Sequence, residues 1–161
     1  MEKFQELKES AKKKITIADH MLTQTYPLVK DAKLLLAVLE NVFLALSYSM
    51  SSVLHYDRLF KKINVLPENF EAKFHVFKDK CVPRYKIDKE YLNLVREIKE
   101  IIIAHKKSPV EFVRNDRFVI CSENYRMKTV SVDQLKKIIQ KSKVFIQESS
   151  NIVNKNEAIF R

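Results

Sequence analysis

The chain of 161 residues contains no glycine, where average usage of about 7% would supply roughly eleven. Every motif in which glycine is mechanically required is therefore excluded. There is no phosphate-cradling Walker loop, no G-x-G-x-x-G dinucleotide turn, no G-x-S-x-G nucleophile elbow and no EF-hand loop. Sandwiches and barrels are disfavoured too, because their turns and bulges lean on residues that tolerate positive φ. Cysteine is almost as scarce. Cys81 and Cys121 stand alone, with no C-x-x-C pair, which suits a reducing compartment with each thiol acting as a small apolar group, although one disulfide between them stays open. Internal repeats and low-complexity tracts are absent to the eye.

One long apolar run exists, Leu34 to Leu54. It carries Glu40, Asn41 and four serines (Ser47, Ser49, Ser51, Ser52), and a central acid costs about 2.5–3.5 kcal/mol on membrane insertion. The run reads better as the buried helix of a soluble bundle. The first six residues are charged and lack the apolar core of a secretory signal. The expectation is a cytoplasmic protein with no membrane span.

Apolar residues recur at helical spacing along most of the chain. Phe4, Leu7, Ala11, Ile15, Ala18 and Leu22 make one stripe, and Pro27 is expected to end that helix. A second helix runs from near Pro27 or Asp31, the latter a candidate N-cap, to Ile63, with Asn64 as its left-handed cap. Pro67 opens a third, bearing Phe70, Phe74, Phe77 and Cys81, and Pro83 closes it. Asp88 caps a fourth, from Lys89 to Lys107, with Tyr91, Val95, Ile98, Ile102 and His105 inward. The period then changes. Arg117–Cys121 and Tyr125–Val130 read as a hairpin around Ser122-Glu123-Asn124, with Asn124 left-handed. Ser131-Val132-Asp133-Gln134 is a capping box opening a fifth helix. The predicted fold is an all-α bundle of four to five helices, with a small β-hairpin at about 117–130 before the C-terminal helix. It forms one domain over 1–153, followed by a frayed tail at 154–161.

The net charge is +10, and residues 104–146 alone supply +6 of it, with 10 basic and 4 acidic side chains. Arg114, Arg117, Arg126, Lys128, Lys136, Lys137, Lys141 and Lys143 are the candidate nucleic-acid contacts on the hairpin and last helix, where they could match the phosphates of RNA. No helix-turn-helix, RNP, KH or zinc-finger signature accompanies them. A second candidate is a polar strip on the second helix: Glu40, Asn41, Ser47, Tyr48, Ser51, Ser52, His55 and Arg58. It reads as a solvent face, a groove or a subunit interface. The four histidines (His20, His55, His75, His105) fall on separate helices without pairing at ligand spacing, so neither a metal nor another cofactor is expected. HEPN-type ribonucleases carry an arginine and a histidine close together on one helix. Here Arg96 and His105 point about 180° apart, and the chain lacks that motif.

The leading expectation is a non-catalytic binding or assembly module that contacts RNA or a nucleoprotein through the hairpin–helix patch. The alternative is a homo-oligomeric structural or regulatory protein. A small hydrolase or nuclease centred on Glu40, His55 and Arg58 comes last.

Overall fold

The structure, a computed structural model, describes residues 2–107, 110–114, 116–121 and 127–154. The elements run α1 (Lys3–His20), a π turn (Met21–Thr25), α2 (Tyr26–Val29), α3 (Ala32–Leu59), α4 (Phe70–Val76), a second π turn (Phe77–Cys81), α5 (Val82–Tyr85), α6 (Glu90–Lys107), β1 (Val110–Arg114), β2 (Arg117–Cys121), β3 (Met127–Ser131) and α7 (Val132–Asn154). This is an all-α bundle of five helical arms with a small antiparallel sheet ahead of the last.

Helix α3 is the axis. Asp31 caps it, its carboxylate accepting the Lys33 amide at 2.9 Å. At about 1.5 Å per residue, its 28 residues span the molecule. The expected stripe of α1 packs on it, with Phe4, Ala11, Ile15, Ala18 and Leu22 buried. The α7 seam is buried at Leu135, Ile138, Ile139, Ser142, Phe145, Ile146, Ser149 and Val153. The capping box that opens α7 forms as the sequence predicts: the Ser131 amide donates to Gln134 Oε1 at 2.9 Å, and the Gln134 amide to Ser131 Oγ at 3.1 Å. On α6 the buried line is Leu92, Leu94, Val95, Ile98 and Ile101. It is rotated from the expected one, so Tyr91, Ile102 and His105 lie at its edge. Edge-to-face rings join the arms, as between Phe4 and Tyr56 at 5.5 Å and between Phe77 and Phe145 at 6.0 Å. The buried apolar residues form one continuous cluster.

Contrary to expectation, Pro27 and Pro83 do not end their helices. Before each one the chain widens into a π turn, in which the Tyr26 amide donates to the Met21 carbonyl and the Val82 amide to that of Phe77. A proline lacks an N–H and its ring crowds the carbonyl one turn back. The wider turn relieves that conflict, and the helix passes through Pro27 and Pro83 for one more turn. It stops three residues later, at Lys30 and Lys86, both in the left-handed region with φ 51° and 52°. The two corners are one structural repeat: helix, π turn, proline, left-handed lysine, then an aspartate (Asp31, Asp88) whose carboxylate accepts an amide of the next helix at 2.9 Å.

Other boundaries also differ from expectation. The third helix starts at Phe70, capped by Asn69, whose side chain accepts the Ala72 amide at 2.8 Å, so Pro67 lies outside it. After α3, Lys61 (φ 58°) takes the left-handed position assigned to Asn64. The sheet has three strands in the order β1-β2-β3, not two. The sequence reading placed no element between Lys107 and Arg117, but Val110–Arg114 forms β1 and pairs in register with β2, Arg114 opposite Arg117. Asp116, φ 58°, serves the turn between them. Asn124, the tail residues 155–161 and the expected hairpin loop lie outside the described residues.

Candidate nucleic-acid interface

The expected hairpin–helix patch lies only partly among the described residues. Arg117, Lys136 and Lys137 are exposed. Lys141 is held by Glu90 at 2.6 Å, and Lys143 by Asp19 at 2.6 Å. Both ammonium groups are thus already matched by carboxylates of neighbouring helices, and the Glu90 hydrogen bond raises the Lys141 pKa. The side chains of Arg114 and Lys128, and Arg126 throughout, lie outside the described residues.

The α3 polar strip is not one face. Glu40 and Arg58 are exposed at opposite ends, whereas Ser51 and Ser52 are buried. Ser52 Oγ donates to the Phe4 carbonyl at 2.7 Å and thereby seats the start of α1. Asn41 Nδ2 returns to the Ala37 carbonyl at 2.8 Å. Ser47 and Tyr48 are half-buried. Glu40 and His55 are fifteen residues apart on a straight helix, about 22 Å, so Glu40, His55 and Arg58 do not converge. The apolar surface of α3 is spent inside the bundle, with Leu44 and Leu59 its large exposed hydrophobics.

The sequence reading passed over Asp57, one residue from that strip. Its carboxylate is fully buried, at 0% exposure. It accepts from Arg84 Nη1 at 2.5 Å, from Cys81 Sγ at 3.3 Å and from the Tyr85 hydroxyl. Three residues of the second corner thus converge on one α3 side chain. Burial first, then the Asp57 charge, pushes the Cys81 thiol well above its ordinary range, and burial with the Asp57 hydrogen bond does the same to Tyr85. Cys81 is a free thiol that stays protonated and inert. The cluster is a clamp that fixes the corner to the axis, and the first corner has a lighter counterpart, in which the Tyr26 hydroxyl donates to Asp116 at 3.2 Å beside a Lys30–Asp116 ion pair at 3.6 Å.

What the second corner positions is a cationic groove. Between it and α6 lies a cavity of about 570 Å³ lined by Lys78, Lys86, Lys89 and Arg96, with Asp79 the one acid among the described residues that line it. Val82, Ile87 and Leu92 form its apolar floor. Arg96 also borders a second cavity of about 330 Å³ between α4 and α6, whose lining includes Lys99 and the acids Glu71 and Glu100. There Arg96 lies over the Phe74 ring at 5.1 Å and Lys99 over the Phe70 ring at 4.6 Å, with Lys99 also paired to Glu71. A cation held over an aromatic face keeps a fixed direction at little entropic cost. The signal in the sequence was the Lys78–Lys89 segment, whose basic residues fall either side of a proline corner that periodicity alone does not place.

Among the described residues no group of three or more His, Cys, Asp or Glu gathers as a metal site. His20 and His75 are exposed, and His105 packs edge-on to Phe118 at 6.3 Å. Among the described residues one helix, at Lys33–Leu59, is long and apolar enough to cross a membrane, and just over half of its most apolar window is buried in the bundle. Comparison of the chain with protein-family models, with curated protein sequences and with solved structures finds no match.

Proposed function

We propose that the protein is a non-catalytic, cytoplasmic binding module that holds single-stranded RNA by its phosphate backbone along α6. The observation that carries this reading is the groove that sets Lys78, Lys86, Lys89 and Arg96 against Asp79, the one acid among the described residues that line it. Four cations on the walls of one depression focus a positive field. Such a groove tracks a backbone without reading bases, the mode of sequence-tolerant single-strand binders. The exposed cations of α7 (Lys136 and Lys137) would add long-range attraction without shaping the contact.

A fluorescently labelled RNA oligomer titrated at two salt concentrations tests it. Four phosphate contacts predict a log–log salt slope of about −3, so affinity falls about 50-fold between about 50 and 200 mM salt. Binding that is absent at low salt, or that is indifferent to salt, rejects the reading.

A further inference from the structure

A separate depression lies where the first turn of α1 meets the last turn of α3. It has a volume of about 360 Å³ and is lined by Glu2, Lys3, Phe4, His55, Arg58, Leu59 and Lys61. Three cationic side chains and an imidazole thus share a pocket with one acid. Glu2 is engaged at the start of α1, where it forms a capping box with Gln5. Lys3 has an ion pair with Glu6 at 4.0 Å, on the exposed surface. Lys73 approaches from α4, its ammonium 3.5 Å from Ser51 Oγ. Phe4 and Leu59 supply an apolar wall.

We propose that this pocket binds a phosphate dianion, free or as a monoester. Arg58 presents a planar fork that matches two phosphate oxygens, Lys3 and Lys61 add point charges, and His55 offers a ring N–H. Positive charges gathered in one concavity repel one another until an anion enters. His55 reports that repulsion: burial and then Lys73, Lys3 and Arg58 hold its pKa below the ordinary histidine value. A bound dianion offsets that positive charge and relieves the repulsion on His55. The inference is independent of the RNA reading, because none of the groove cations lines this pocket.

The test is a histidine-ring NMR titration of the intact protein with inorganic phosphate and, in a second arm, a nucleoside monophosphate, each against chloride at equal ionic strength. The expected result is a saturable shift of His55 alone, with its pKa raised by the ligand. Arg58→Gln and Lys61→Gly each weaken the effect about tenfold, and the second keeps the left-handed backbone at that position. Whichever arm saturates at lower concentration identifies the source, and Lys86→Glu in the α6 groove leaves both unchanged. Equal shifts with chloride, shifts of all four histidines together, or retention of binding in both variants overturn the proposal.

Discussion

Lys30 and Lys86, fifty-six residues apart in the chain, occupy the same place in two corners of the same design. Each is the third residue after a proline and each is left-handed, at φ 51°, ψ 40° and φ 52°, ψ 46°. A chain without glycine still has to turn its helices sharply, and here lysine does so at a cost of about 1–2 kcal/mol per position relative to a right-handed residue. At Lys86 the same side chain lines the cationic groove, so a strained backbone and a proposed phosphate contact coincide.

Replacing Lys86 by glycine therefore moves stability and binding in opposite directions. Relief of the left-handed strain, less the extra chain entropy of glycine, stabilises the fold by about 0.5–1 kcal/mol. Loss of one phosphate contact weakens RNA binding and reduces the salt slope by about one. Urea denaturation and RNA titration of the same variant check both signs, and a destabilised Lys86→Gly would show that the corner is unstrained.

The Asp57 clamp gives an asymmetric pair of mutants. Arg84→Met strands a carboxylate that is fully buried, and costs about 3–5 kcal/mol. Asp57→Asn costs less, because the Arg84 side chain is 29% exposed and turns to water. Tyr85→Phe removes one half-buried hydrogen bond to that carboxylate and costs about 1–3 kcal/mol. Equal losses in Arg84→Met and Asp57→Asn would mean that the carboxylate is better solvated than its surroundings indicate.

Alkaline pH loosens the same clamp. The Cys81 and Tyr85 pKa values are raised in the folded protein from ordinary values of 9.0 and 10.0. The unfolded chain therefore ionises first as pH rises past those values. Stability from this source is complete below about pH 9 and is lost above it, the thiol alone contributing up to about 1.4 kcal/mol per pH unit. Cys81→Ser has a shallower alkaline limb in urea titrations, and identical limbs in the two proteins would contradict this account. In the native protein Cys81 reacts with a thiol reagent only as fast as the corner opens.

At the start of α7, Ser131→Ala removes the hydroxyl that accepts the Gln134 amide. The expected loss is about 1 kcal/mol, measured by thermal or urea unfolding.

The parts of this fold legible in the sequence are those set by local periodicity and caps. The α1 and α7 seams, the Asp31 and Asp88 caps and the Ser131–Gln134 box all follow from residues within one or two turns of each other. The corners did not follow, because a proline reads as a stop unless the preceding turn widens, and that widening has no residue signature of its own. Strand β1 was missed because it is short and Val113 breaks the strict alternation of Val110–Arg114. Among site residues, Lys136 and Lys137 stand out by charge density alone. The acids that neutralise Lys141 and Lys143 come from α6 and α1, fifty-one and 124 residues away. Nothing local marks Asp57, and only the fold brings Cys81, Arg84 and Tyr85 onto it. The α6 groove was hidden for the same reason: its cations belong to two arms that meet across the second corner.

RNA affinity measured side by side for the wild-type protein and two charge-reversal pairs tests the proposed groove most directly. In Lys86→Glu/Lys89→Glu two groove cations become acids, and in Lys136→Glu/Lys137→Glu two exposed cations of α7 do. Fluorescence anisotropy at low salt should show the groove pair about 100-fold weaker than wild type, and the α7 pair within several-fold of it. Full affinity in the groove pair, with binding lost in the α7 pair, would contradict the account and move the contact to the last helix.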